Sequence, residues 1–178
     1  LLVLGLAGFG PGRGQPTPAA NVFQSPFYGY AVTIPARWGV TPATVVWDGE
    51  SAPSVGPNVD LITGPHLIVL GFAGPFAGDL AAFTQDRIAA SLRDHADTCG
   101  ANALQSTTSI GIGGQPGALL AMSCGAAIDQ AITVHDGFAY DFTIRDAGFL
   151  PSLDQTDLAS VRSMLQSLTF PSTPVTSP

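Results

Sequence analysis

Alternating apolar and polar positions predict strands along much of the chain. Tyr28, Tyr30, Val32 and Ile34 fall at every second position, which places their side chains on one face of a β-strand, and Pro35 ends that strand because it has no backbone N–H. Seven further runs, separated by Gly, Pro or Asp turns or by the first helix, also predict strands, and those at 59–62 and 67–72 are rich in β-branched residues. They span residues 44–47, 59–62, 67–72, 104–112, 118–124, 128–135 and 138–144.

Two segments follow the 3.6-residue period of an amphipathic helix instead. The first helix begins after Asp79, a favourable N-cap, and ends near residue 96. The second helix follows a Gly/Pro loop and is capped by Asp154 or Thr156. The apolar faces contain Leu80, Phe83, Ile88 and Leu92 in the first helix and Leu158, Val161, Leu165 and Leu168 in the second.

Tight turns between the predicted strands favour an antiparallel sheet. Asp136-Gly137 is a two-residue hairpin signal, and the GGQPG segment at 113–117 separates two other runs. Parallel neighbours need long crossovers, which such turns exclude. The sequence therefore predicts an α+β fold, with a mainly antiparallel sheet of about six to eight strands and helices on its faces. We expect one domain over residues 21–170, because about 150 residues is a usual domain size.

The two ends of the chain lack a folding pattern. Residues 1–10, LLVLGLAGFG, are apolar and uncharged and run into a Pro/Gly linker at 11–20, which together are typical of a signal-peptide remnant. The alternative is an uncleaved anchor, although a membrane span requires roughly 20 apolar residues. Residues 171–178, PSTPVTSP, predict a disordered tail. We expect a secreted or extracytoplasmic protein with no membrane span in the mature chain.

The two cysteines, Cys99 and Cys124, lie outside any C-x-x-C pair, so the common zinc and thioredoxin-type spacings are absent. In an exported protein we expect them to form a disulfide. The alternative is two unrelated buried thiols, which is favoured if the protein is not exported.

The charge of the chain argues against two classes of partner. The formal net charge is −7 at pH 7, and all six basic residues are arginines. Such a surface opposes the attraction that nucleic acid or an anionic membrane requires. We expect neither as a partner, and we expect a monomer.

No residue pattern predicts catalysis. Ser123, in AMSCG, only approximates the G-x-S-x-G motif of serine hydrolases. Asp129 and Asp141 could face each other across a hairpin, but two solvated strand residues are the favoured interpretation. The glycine-rich segment GIGGQPG at 111–117 departs from G-x-G-x-x-G and predicts a turn rather than a phosphate site. We expect no enzymatic activity and no cofactor.

The three histidines, His66, His95 and His135, lie far apart and form no H-x-x-x-H pair. His95 with Asp97, and His135 with Asp136, each offer part of a divalent-cation site. A helix C-terminus and a hairpin turn explain these two histidines without a metal. We expect no metal site.

Aromatic residues are concentrated before residue 50. Tyr28, Trp38 and Trp47 are candidate interaction residues, because aromatic side chains often anchor protein interfaces. The alternative is that these rings close the edge of the fold.

The order of elements resembles the PsbP-like (Mog/PsbP) superfamily, an α/β/α sandwich that includes the nuclear import factor that binds the small GTPase Ran. The similar segments lie within residues 23–170. They are YAVTIPARW (30–38), DLAAFTQDRI (79–88), IGGQPGALLAMSCG (112–125), VHDGFAYDFTI (134–144) and VRSMLQSLTF (161–170). The resemblance implies an α/β/α sandwich of the exported bacterial branch and a role in docking onto protein partners. The acidic composition means that a relative's basic binding surface does not carry over.

The leading hypothesis is an exported, non-enzymatic accessory or protein-interaction domain that binds a protein or a cell-envelope component. The alternative is a small-ligand or metal-binding carrier with a pocket between sheet and helix. A third, a hydrolase, requires a Ser or Asp within hydrogen-bond reach of a histidine.

Overall fold

The computed structural model describes most of the chain. It covers residues 21–48, 54–94, 96–100 and 102–171. The predicted signal remnant and linker, His95 and residues 172–178 of the predicted tail lie outside these ranges.

The described residues form nine strands and two helices. The strands are β1 (Asn21–Gln24), β2 (Ala31–Ile34), β3 (Gly39–Thr41), β4 (Asp60–Thr63), β5 (Leu67–Pro75), β6 (Leu104–Ile112), β7 (Gln115–Ser123), β8 (Ala127–His135) and β9 (Phe138–Asp146). The helices are α1 (Leu80–Asp94), between β5 and β6, and α2 (Gln155–Gln166), after β9.

Seven strands form one antiparallel sheet with the order β3-β4-β5-β9-β8-β7-β6. Strands β6 to β9 follow one another through tight turns, and β9 returns to pair with β5. The other two strands, β1 and β2, form a separate hairpin, and Ala31 and Thr169 exchange backbone hydrogen bonds of 2.9 Å that join this hairpin to the segment after α2. The predicted α+β class and mainly antiparallel sheet are confirmed.

Left-handed backbone positions explain the two sharpest turns. Gly113 and Gly114, between β6 and β7, have φ of 55° and 78°, and Asp136 and Gly137, between β8 and β9, have φ of 47° and 78°. Two positive φ values in a two-residue loop match the twist of the flanking strands, and glycine and aspartate adopt them at low cost. The Asp136-Gly137 hairpin is therefore confirmed.

The two helices cover opposite faces of the sheet. Phe83 of α1 belongs to the hydrophobic cluster that contains Ile132 of β8, whereas Val161 of α2 belongs to the core that contains Phe142 of β9. Ile132 pairs with Asp141, and Phe142 is the next residue along β9, so Ile132 and Phe142 point to opposite faces. The layers are therefore helix, sheet, helix.

Both helices begin at the predicted caps. Asp79 Oδ1 accepts the backbone N–H of Ala82 at 2.8 Å, and Asp154 Oδ1 accepts those of Thr156 and Asp157 at 2.9 Å each. Of the helices that the structure describes, neither is long and apolar enough to cross a membrane.

The strand predicted at 44–47 is wrong. The backbone N–H groups of Thr44 and Val45 both donate to the Pro57 carbonyl, at 2.7 and 3.0 Å, so this segment bonds to a loop rather than to a neighbouring strand. Val45 and Val46 are 47% and 42% exposed, so the apolar run does not mark a buried strand. The strand in this region is β3, just upstream. The first predicted strand begins at Ala31 rather than Tyr28, and it pairs with β1, which the pattern did not predict.

The predicted disulfide is confirmed, with Cys99 and Cys124 sulfurs 1.95 Å apart. It joins the segment after α1 to the residue that follows β7, beside the buried Ala103 and Met122.

Candidate functional site

A cavity of about 220 Å³ lies between α2 and the sheet. Its floor is apolar, because it is formed by the buried side chains of Ile144 of β9 and of Leu158, Val161 and Leu165 of α2. The other lining residues are Ile110, Gly111, Leu119, Asp129, Arg162 and Gln166. Gly111, Arg162 and Gln166 are exposed at the opening, so the cavity is an apolar pocket with one carboxylate and one guanidinium.

Asp129 is the acidic group of this cavity. It pairs with Ile144 across β8 and β9, so its side chain lies on the face that α2 covers. Burial raises its pKa, and the positive charge of Arg162 partly opposes that rise. Within the described part of the chain, Asp129 has no hydrogen bond and no ion pair within 4.0 Å. Its carboxylate is thus partly desolvated without a close protein partner.

Asp129 and Asp141 do not face each other across the hairpin, which was the less favoured of the two interpretations. Asp141 pairs with Ile132 rather than with Asp129, and its side chain points to the opposite face, beneath α1. The favoured alternative of two solvated residues is also wrong for Asp141, which is fully buried. The carboxyl groups therefore cannot form an acid–base pair.

Asp141 lies in a buried polar cluster between α1 and the sheet. Burial raises its pKa to about 7, although the Arg87 guanidinium and a hydrogen bond from the Thr143 hydroxyl (2.9 Å) both lower it. Arg87 is 1% exposed, and its guanidinium carbon lies 5.2 Å from the Trp47 ring centroid and 5.7 Å from that of Phe83. Burial of a charge between aromatic rings is compatible with cation–π stabilisation. The cluster is enclosed, so it has a structural role.

His66, Asp154 and Asp157 form a second cluster at the start of α2. Each offers one ligand atom within 4.8 Å of the others. These are ligand types for divalent cations. However, Asp154 caps α2, and Asp157 Oδ2 accepts the backbone N–H groups of His66 (2.8 Å) and Leu67 (3.3 Å). These structural hydrogen bonds account for the arrangement, which joins residues 91 positions apart and had no local sequence signal.

The predicted interaction residues do not share one exposed surface. Tyr28 and Trp47 are buried, at 5% and 7% exposure, and Trp38 is half-buried. The Tyr28 hydroxyl donates to the Asn58 carbonyl and accepts the backbone N–H of Trp47 at 3.1 Å. Burial raises the pKa of Tyr28 to about 12. These two rings therefore stabilise the core.

The geometry for nucleophilic catalysis is lacking in the described residues. His66 Nδ1 lies 3.6 Å from Asp157 Oδ2, and His135 Nε2 lies 3.4 Å from Asp136 Oδ2. Neither of these histidines hydrogen-bonds a serine hydroxyl in the described ranges, and Ser123 is exposed at the end of β7. The third hypothesis, a hydrolase, gains no support.

The outer edge of β6 is a feature that the sequence did not reveal. Among the strands that the structure describes, β6 pairs with β7 alone, and the first six residues of β6 are all exposed. Arg162 was missed for a different reason. Val161 belongs to the apolar stripe of α2, and Arg162 follows it directly. In the sequence, Arg162 was therefore one charged residue beside that stripe, and nothing indicated that it lines a cavity.

Comparisons with known proteins address the fold. The chain is similar to the solution structure of cyanobacterial PsbP (CyanoP) from Synechocystis sp. PCC 6803, with a TM-score of 0.54 and 12% sequence identity over 90% of this chain and 98% of that chain. No protein-family model matches the chain, and no curated protein matches it. The sheet order, the two helix layers and this likeness agree, and the chain therefore has the PsbP-like fold that its motifs predicted.

Proposed function

We propose that this protein is an exported, non-enzymatic interaction domain that binds an extended segment of another protein along β6. The observation that carries the proposal is that β6 is an edge strand of the described sheet, because the unpaired side of an edge strand is a template for adding a further strand. The resemblance to the PsbP-like superfamily, whose members dock onto proteins, supports the same role.

The hairpin between β6 and β7 determines which backbone groups of β6 face outward. In a two-residue hairpin, the residues flanking the loop, Ile112 and Gln115, form a hydrogen-bonded pair, and such pairs alternate along the ladder. Gly111 and Pro116 then form a pair without backbone hydrogen bonds to each other. This agrees with two features of Pro116: it has no N–H, and its carbonyl accepts the Thr133 hydroxyl of β8 at 2.7 Å.

The same alternation directs further groups away from β7. Thr107 and Ser109 occupy non-bonded positions like Gly111. Their backbone N–H and C=O groups, with those of Gly111, point away from β7 toward the open edge. These three residues would donate and accept the hydrogen bonds of an added strand.

The composition of β6 favours an uncharged, extended partner segment. Exposed edges are normally protected by charges, proline or shortness. β6 spans nine residues, LQSTTSIGI, without a charge or proline, whereas the other edge strand, β3, has three residues and is followed by Pro42. The pairing of β6 with β7 shifts register between Leu104 and Ser106, so the regular part of β6 begins at Ser106. An edge without charges offers no ion pair to a charged segment, so an uncharged segment fits it best.

Substitution of one outward-facing residue tests the proposal. Ser109→Pro removes a backbone donor on the open side and leaves the β6–β7 bonds in place, because proline is accepted where the N–H faces away from the ladder. Ser109→Ala keeps the donor and is the matched control. Each variant would be expressed in the native host with a proximity label, and the labelled proteins would be quantified. We expect Ser109→Pro to lose at least about tenfold of the labelling of specific partners, and Ser109→Ala to retain it.

A second measurement separates binding from folding. Both variants should show the circular dichroism spectrum of the wild type and cooperative thermal unfolding. If folded Ser109→Pro retains the wild-type set of labelled partners, binding along β6 is excluded.

The alternative function, a small-ligand carrier, draws its support from a different observation. The cavity beneath α2 is apolar, holds the half-buried carboxylate of Asp129 and opens to solvent. Pockets of this composition are common ligand sites.

A further inference from the structure

We propose that the cavity between α2 and the sheet binds a small amine, with the ammonium group at Asp129 and the hydrocarbon body against α2. This site uses side chains beneath α2, whereas binding along β6 uses outward backbone groups. The two proposals can therefore fail independently.

The size of the cavity limits the ligand. Its volume is about 220 Å³, and an apolar cavity of roughly 150 Å³ admits benzene. The cavity therefore accommodates a molecule of about eight non-hydrogen atoms. Ile144, Leu158, Val161 and Leu165 are at most 9% exposed, so the inner part of the ligand contacts hydrocarbon only.

The state of Asp129 favours a cationic head group. The residue Asp129 is half-buried, and none of the described residues hydrogen-bonds its carboxylate or forms an ion pair with it within 4.0 Å. An ionised group without a partner is costly to desolvate, and an ammonium donor restores a charge-assisted hydrogen bond. A bound amine thus compensates for the lost hydration of Asp129.

The position of Arg162 disfavours an anionic ligand. Arg162 is exposed at the opening, so its guanidinium is already hydrated and gains less from a ligand than Asp129 does. A carboxylate in the cavity would also lie close to Asp129. The formal charge of the whole chain, −7, attracts cations and repels anions at longer range.

Three probes of similar length distinguish these charges. Hexylamine, hexanol and hexanoate would each be titrated into the full chain at pH 7.5, with binding followed by methyl NMR of Ile144, Leu158, Val161 and Leu165. We expect shifts at these methyl groups, and an affinity for hexylamine about tenfold higher than for hexanol. Hexanoate should bind more weakly than either.

Neutralising Asp129, with a second neutralised aspartate as the control, tests the role of Asp129. Asp129→Asn should weaken hexylamine binding about tenfold and leave hexanol binding unchanged, so that the preference for the amine disappears. Retained hexanol binding also shows that the variant keeps its cavity. Asp136→Asn is the matched control, because it removes an exposed acid at a turn whose positive φ asparagine tolerates, and it should not change either affinity.

Several results would overturn the proposal. Tighter binding of hexanoate than of hexylamine would assign the cavity to anions through Arg162. Unchanged hexylamine affinity in Asp129→Asn would remove Asp129 from the site. Shifts confined to residues outside the cavity would place amine binding elsewhere.

Discussion

Among the carboxyl groups of the described residues, Asp141 is the one whose surroundings change its pKa most. It is fully buried beneath α1, and burial raises its pKa to about 7. Four buried atoms, all near this face of the sheet, lack a hydrogen-bond partner among the described residues: Arg87 Nε, Gln130 Oε1, Asp141 Oδ2 and Arg145 Nε. Such groups cost free energy in the folded state. The α1 layer therefore contains a polar cluster that stabilises the fold less than an apolar core would.

The stability of the protein should fall as the pH rises toward neutrality. Because the folded-state pKa of Asp141 lies above the ordinary value of 3.8, the unfolded chain releases this proton first. The contribution of Asp141 to the free energy of unfolding is full below about pH 4 and is lost as the pH rises to about 7, by up to about 4 kcal/mol. Urea unfolding at pH 4.5 and pH 8 measures the difference.

Asp141→Asn isolates this effect, because asparagine mimics the protonated acid. In this variant, the free energy of unfolding should differ much less between the two pH values than in the wild type. The Arg87 guanidinium still has a carboxylate neighbour, because Asp86 lies 3.5 Å away. Asp136→Asn, at an exposed turn, should behave as the wild type. Identical pH dependence in wild type and Asp141→Asn would contradict the assignment.

The burial of Asp141 shows a limit of pattern reading at single positions. In the run FAYDFTI, the residues between the aromatic ones look like a solvent-facing side. Helices cover both faces of this sheet, so that second side is buried as well. The alternation correctly predicted the strand but could not show what lay over each face.

Among the elements, α2 depends on a single capping residue. Asp154 accepts two backbone N–H groups at the first turn. Asp154→Ala should lower the free energy of unfolding by about 1 kcal/mol, because these donors lose their partner in the folded state. Ser152→Ala, two residues upstream and exposed, should change it by less than about 0.5 kcal/mol. Equal losses in the two variants, measured by urea unfolding, would argue against the cap.

The elements that sequence patterns predicted well share a short-range cause. The strands β6 to β9 are joined by turns whose glycine and aspartate residues favour positive φ, and each helix has an aspartate cap and an apolar stripe. The strand prediction at 44–47 failed because the backbone of this segment donates hydrogen bonds to Pro57, across a loop. Nothing in the run itself indicates that partner.

For the molecule as a whole, the disulfide is the covalent constraint. Cys99 and Cys124 lie 25 positions apart in the sequence, and closing such a loop should stabilise the fold by about 3 to 4 kcal/mol in the chain-entropy model. Addition of reductant should lower the unfolding free energy by this amount in the wild type. It should have no effect on the double variant Cys99→Ala/Cys124→Ala.

The same bond tests the exported location. Protein purified from its native host should react with an alkylating reagent only after reduction, and its intact mass should lack residues 1–20. Free thiols together with a retained apolar start would contradict export, because disulfides persist mainly in oxidising compartments.

The amino-acid sequence by itself determined the fold class, both helices, the hairpins from β6 to β9, the disulfide partners and the acidic charge. These features follow from local periodicity, turn chemistry and counts of residues. Tertiary structure alone decided that β6 is an edge strand of the sheet that the structure describes, that Asp129 and Asp141 lie on opposite faces, and that His66 meets Asp157. The physical reason is that sheet order and helix packing bring together residues far apart in the chain, and only that packing determines which polar groups lose their water.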